Sequence, residues 1–294
     1  MSMVKQDTQA IVKRIVDLPT LPQIVTALMN QLEDPKSSVR DVDRILGKDP
    51  ALVAKLLKLV NSAFYGLSHK VTSIPQGIAI LGYNTVKALA ISASIFDVFE
   101  TRGDGFSHQD FWSQSLGTAV IARFTANRHG QGRPPAERLN LDTLFVAGLL
   151  HGIGKLVLDQ YASEEFAEIL EHAKANGLSF AAAEPKVLNT SHAALGYWLL
   201  KRWRMAEEVQ IAILYQDHVG STPPAHRRTA AALALSIFWA RKRAMGAAGD
   251  FDEPALAPDV LSALGVEAAD LDAWLPDLDR EMEGATPFLA LIRE

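Results

Sequence analysis

Apolar residues recur along this chain at intervals of three and four, and the two-residue alternation of a half-buried strand is almost nowhere found. Ile11, Val12, Ile15 and Val16 make the stripe of a first helix, which the Leu18-Pro19 step stops. Pro22 suits the first turn of a second, carrying Val25, Leu28, Met29 and Leu32 and ending at Asp34-Pro35. Ser38 can cap a third, with Val39, Val42, Ile45 and Leu46 on one side and Gly47 at its close. Asp49 and Pro50 open a fourth, a cap acceptor followed by a proline with no N–H to lose; Leu52, Val53, Leu56, Leu57, Leu59 and Val60 fill it. A turn over 66–72 leads to a short helix from Ile74 to Leu81, and Asn84 then caps a long apolar helix to about Phe99.

The turn at 103–105 is the best boundary, dividing an N-terminal helical subdomain (1–104) from a second subdomain (105–294). Beyond it, Ser107 with Asp110 caps a helix through Phe111, Leu116, Val120 and Phe124. The polar stretch 129–140 reads as a loop, and further helices are predicted from Asp142, Ser163, Ser179, Ser191, Ala206, Pro224 and Glu253. The fold class is therefore all-α. Trp112, Trp198, Trp203, Trp239 and Trp274 are expected to anchor cores or interfaces.

The 294 residues contain no cysteine, which excludes a disulfide scaffold, a thiolate metal site and a cysteine nucleophile, and points to the reducing cytosol. No run of eighteen apolar residues occurs, so no membrane span is expected. A net charge of −5 gives no global reason to expect nucleic acid. The charge is nonetheless segregated. Lys201, Arg202, Arg204, Arg227, Arg228, Arg241, Lys242 and Arg243 crowd one late segment, and acidic residues dominate after Gly249. Two solvated faces, or an acidic tail folded against a basic helix, account for this pattern.

The segment most informative about chemistry runs from Leu144 to Lys155, where an apolar helix delivers His151 to its end and Gly152-Ile153-Gly154-Lys155 follows. It resembles the HD-superfamily signature, in which an aspartate follows the histidine and the pair begins a metal site. Other motifs agree in order and spacing: Leu18-Pro19-x-Leu21-Pro22, Asp49-Pro50-Ala51-Leu52, Asn61 to Gly66, Ile78-x-x-Leu81-Gly82, Phe111-Trp112 with Ser115, Ser191-His192-Ala193 with Gly196, and Trp203. Together, over about residues 15 to 220, they resemble the HDOD family. That resemblance implies an N-terminal helical bundle packed on an HD-domain-like helical core, and a part in bacterial signal transduction.

Carried over residue by residue, the resemblance implies a depleted ligand set. A position often histidine in relatives is Gln114, the HD pair is His151 and Gly152, and His192 matches the later histidine. The paired histidines expected after Tyr215 are replaced by Gln216 and Asp217, with His218 one step on. No metal and no cofactor is therefore expected; if an ion bound, His151, His192 and His218 would hold it. Each survivor also has a structural reading: His151 and His192 as helix-end residues, Asp217-His218 as a surface pair, Lys155 as a solvated or capping cation, Gly152 and Gly154 as turn formers. Asn61, Ser62 and Tyr65 either cap and turn or form a partner or inter-subdomain surface. The leading expectation is a cytoplasmic, non-catalytic module whose partners are other signalling proteins, with a small nucleotide as a conceivable ligand. The alternatives are a phosphohydrolase with a reduced mononuclear site, and a helix-turn-helix DNA-binding regulator over Val39 to Val60 using Lys48, Lys55 and Lys58.

Overall fold

The computed structural model describes residues 23–33, 38–61, 67, 69–82, 85, 86, 89, 90, 93, 99 and 106–289, and among them every regular element is helical. The helix predicted over 11–16, the Asn84 cap and the turn at 103–105 lie outside the described residues. The chain divides into two compact units, Pro19–Glu100 with Glu283–Glu294, and Thr101–Met282 with Met1–Leu18.

In the first of these, α1 (Gln23–Glu33), α2 (Val39–Leu46), α3 (Pro50–Val60) and α4 (Ile74–Leu81) surround a core of Leu28, Val42, Leu46, Leu56, Val60 and Val71. Local chemistry sets the helix starts. The Asp49 carboxylate accepts the Leu52 N–H at 2.9 Å with Pro50 at the first helical position, and Ser73 accepts from Gln76 ahead of α4. Asn61 closes α3 with its side chain: the amide nitrogen donates to the carbonyls of Leu57 and Val71, and Oδ1 accepts the Val71 N–H at 2.7 Å. Its hydrogen-bonding groups thus serve as a staple inside this unit. Ser62 and Tyr65 lie outside the described residues.

The second unit is built on α5 (His108–Gly130), whose buried residues point in every direction, the mark of a helix enclosed by others. Against it lie α6 (Leu141–Leu150) and α12 (Arg227–Lys242). The α5–α6 crossing is backbone on backbone, since a Cβ on Gly148 would stand 2.7 Å from Ala119 Cα. Then come α7 (Ile153–Tyr161), α8 (Ser163–Asn176), α9 (Phe180–Val187), α10 (His192–Arg202), α11 (Glu207–Leu214), α13 (Pro258–Leu264) and α14 (Ala268–Leu289), which belongs to this unit as far as Met282. The span Pro135–Tyr161 is long and apolar enough by composition to cross a membrane; it is two helices broken at His151 and Gly152, and 83% of its apolar window is buried in the core.

Two predicted starts shift. The helix expected from Pro224 begins at Arg227 after a single 3-10 turn, Pro224–His226. The one expected from Glu253 begins at Pro258, because Glu253 is drawn to Lys242 and Pro258 supplies the preset first turn. The segregated charge resolves as an acidic stretch folded against basic residues: Arg241 pairs with Asp250 and Asp252, Lys242 with Glu253, Arg243 with Asp279, and Arg128 with Asp277. Four of the five tryptophans are buried; Trp198 is half-buried, with the Arg202 guanidinium over its ring.

Candidate functional site

The buried apolar run of α6 delivers His151, only 5% exposed, to the centre of the second unit. Its Nδ1 lies 2.7 Å from the Gly148 carbonyl oxygen and so carries and donates the proton. Burial pushes the imidazole down to about 4, and the positive charges of Lys155 and His192 act in the same direction. His151 is therefore neutral at ordinary pH.

The glycines that follow are not there for conformational freedom, contrary to the turn role expected from sequence. Gly152 has φ −94°, open to any residue. What it supplies is space: a Cβ there would sit 2.8 Å from Cε2 of Phe111. A Cβ on Gly154 would stand 1.9 Å from the His192 carbonyl oxygen, so its absence lets α7 cross α10 in direct contact.

His192 opens α10 beneath its Ser191 cap, but its ring faces the interior. Nδ1 lies 3.0 Å from Glu184 Oε2, and the His192 backbone N–H donates to Glu184 Oε1. Burial alone would lower this imidazole; the charge and hydrogen bond of Glu184 outweigh it and hold the group above its usual value. On the other side, the Gln216 amide nitrogen lies 3.1 Å from His192 Nε2 and donates at 3.1 Å to the His151 carbonyl. That arrangement suits a neutral His192. A protonated ring needs an acceptor at Nε2, and Gln216 Oε1, buried and without a partner, can supply one if the amide turns over.

Lys155 corrects a second expectation. It is neither solvated nor a cap: its side chain is buried, with Nζ donating at 2.7 Å to the Ala248 carbonyl and lying 3.3 Å from Asp250 Oδ2 and 4.9 Å from the Phe180 ring centre. Asp250 also accepts the Phe180 N–H at 2.9 Å. Burial works against its charge, but Lys155 and Arg241 hold its carboxyl at about 2. Gln114 Oε1 accepts the Ala248 N–H at 3.2 Å. Ala248 is thus tied down through both its amide and its carbonyl, by Gln114 on α5 and Lys155 on α7. The strap carrying it runs so close to α5 that a Cβ on Gly246 (φ +136°) would meet the Asp110 carbonyl oxygen at 2.1 Å.

Of the positions singled out in sequence, the fold brings Gln114, His151, Gly152, His192 and Gln216 into one buried neighbourhood. Asp217 and His218 are exposed, although the Asp217 carboxylate still acts on His192 through its charge. Among the described residues, no group of three or more His, Cys, Asp and Glu is placed to hold a metal ion. The sequence reading missed Glu184, Asp250 and the burial of Lys155. It also missed a second buried pair, His108 with Asp159 at 2.9 Å.

The HDOD domain family model matches residues 18–219. An HDOD domain protein with unknown function from Geobacter sulfurreducens superposes with a TM-score of 0.79 at 25% identity, covering 98% of this chain and 99% of that one. A putative signal transduction protein from Marinobacter aquaeolei VT8 gives 0.78 at 22% identity over 100% of this chain and 66% of that one. A putative phosphohydrolase from Shewanella amazonensis SB2B gives 0.75 at 23% identity over 96% and 98%. The two latter likenesses establish the fold. The chain spans 41% and 30% of the lengths of the curated relatives it matches.

Proposed function

The chain belongs to the HDOD family, and from that premise we propose that it is a non-catalytic signal-transduction module, acting in the cytosol by binding other signalling proteins. One observation carries the reading: the positions that hold metal in HD-superfamily sites spend their polar groups on the protein itself. His192 is engaged by Glu184 and Gln216, Gln114 by Ala248, and His151 by the Gly148 carbonyl. The place of the aspartate side chain after His151 is taken by the Phe111 ring. A cation is already resident nearby in the Lys155 ammonium, neutralised by Asp250. A dinuclear metal centre does not fit this donor set, which lacks a bridging carboxylate and offers a neutral amide at Gln114 and another at Gln216.

The protein is loaded with manganese, iron or zinc and assayed on nucleotides and cyclic dinucleotides. The expected result is no bound metal after desalting and no turnover. Turnover lost in both His151→Ala and His192→Ala would replace this reading with that of a mononuclear phosphohydrolase.

A further inference from the structure

Next to the buried network lies a cavity of about 330 Å³, at the small end of ligand-site sizes. One wall is apolar, formed by Ala234, Ile237, Phe238, Leu256 and Val260. The polar side carries Asp217, Asp252 and Asp259, with His218 and a single full cation, Arg241. That cation is already engaged: Arg241 pairs with Asp250 and Asp252 and donates to the Asp252 carbonyl. Asp259 Oδ2 accepts the Gly220 N–H at 2.7 Å and fixes that side of the wall. Three carboxylates against one committed guanidinium leave the lining net negative. The cavity also reaches Gln216, 5% exposed, whose Oε1 is a buried acceptor with no donor. The rim at Asp217, His218, Ala255 and Ala257 is exposed, so the cavity is accessible from solvent.

We propose that this cavity is a binding site for a small organic cation, an ammonium or guanidinium on a short apolar body. The apolar wall takes the body, and Asp217, exposed at the rim and acting on the buried His192 through its field, takes the charge. A phosphate or carboxylate ligand meets like charge at the same place and is refused. The site takes in Gln216, Asp217 and His218 of the inherited HD positions but not His151 or His192, and it does not depend on whether the module is catalytic.

The test is calorimetric titration of the full chain with phenethylamine and agmatine, beside phenylacetate and adenosine monophosphate as anionic controls. At least one cation is expected to bind at a single saturable site and the anions not to bind. Asp217→Asn, at an exposed side chain, is expected to weaken cation binding by about tenfold or more, as befits loss of a charged hydrogen-bond partner. Ala182→Trp, on the exposed lining, is expected to block it, with thermal melts confirming that both variants fold. Absence of saturable binding by either cation overturns the proposal. So does equal binding of an anion, or cation binding undiminished in both variants.

Discussion

At the scale of single residues, the site is governed by space and proton affinity. The missing side chain at position 152 is filled by Phe111, so restoring one means overpacking a closed core. Gly152→Ala is expected to cost about 1–3 kcal/mol in urea unfolding. Combining it with Phe111→Leu should cost clearly less than the two single losses added, because the smaller residue vacates the space the methyl needs. Strict additivity would mean that the ring is not the obstacle. His151 makes the opposite kind of prediction, one about protons. Its imidazole is held at about 4, against 6.5 for an ordinary histidine. The unfolded chain therefore takes up a proton that the native state refuses across that window. The stability from neutral His151 is complete above 6.5 and is lost as pH falls towards 4, to the extent of about 3 kcal/mol. Asp250 loses its contribution only lower, between 3.8 and about 2, and His192, raised by Glu184, titrates above 6.5 with the opposite sign. In His151→Asn, whose amide can still donate towards Gly148, unfolding free energies at pH 7 and pH 4.5 should differ much less than in the parent. The same pH dependence in both proteins would show that His151 is not the group responsible.

At the scale of elements, the strap between α12 and α13 locks the site. Lys155 reaches it from α7, Gln114 from α5, and Asp250 returns the contact to the start of α9 through the Phe180 N–H. Lys155→Met leaves the buried Asp250 carboxylate with Arg241 alone as its cation and is expected to cost up to about 3–5 kcal/mol. Asp250→Asn leaves the ammonium stranded, while the double variant should recover much of the loss. A double variant as unstable as the summed singles would show that the pair contributes only by packing. These contacts also explain what could be read beforehand. Caps and stripes exposed the helices, since Asp49-Pro50, Ser73 and Ser191 act within four residues of themselves. The HD positions could be recognised for a similar reason, lying in short motifs. Their partners could not: Asp250 is 95 residues from Lys155, and Ala248 is 134 from Gln114, so no local pattern marks either. Glu184 is only eight residues from His192 but sits in an alanine-rich helix, where a carboxylate ordinarily faces water. Both strap residues also lie beyond position 219, where the family model ends.

At the scale of the whole molecule, charge decides between a protein partner and nucleic acid. The basic cluster at the end of α12 reads in sequence as a solvated face or as the partner of a folded-back acidic tail. In the fold, Arg241, Lys242 and Arg243 each have a carboxylate partner, and so does Arg128. The exposed Lys242–Glu253 pair adds little to stability, and the larger effect of the set is on the field the surface presents. The other candidate surface, α2 and α3 with the short turn between them, has helix-turn-helix proportions, but Leu52, Leu56, Leu59 and Val60 bury one face of α3, and Arg44 of α2 is paired with Asp41. Non-specific DNA affinity comes from cations that release counterions from phosphates, and it is greatest at low salt. A chain of net charge −5 with its basic helix end neutralised internally should therefore give no shift of duplex DNA even at low ionic strength. Replacing Asp252, Glu253 and Asp279 with their amides should free Lys242 and Arg243, leave Arg241 paired with Asp250 alone, and produce a weak, salt-sensitive shift. A parent protein that already shifts DNA, with mobility restored as salt is raised, would bring back the helix-turn-helix alternative and displace the protein-binding one.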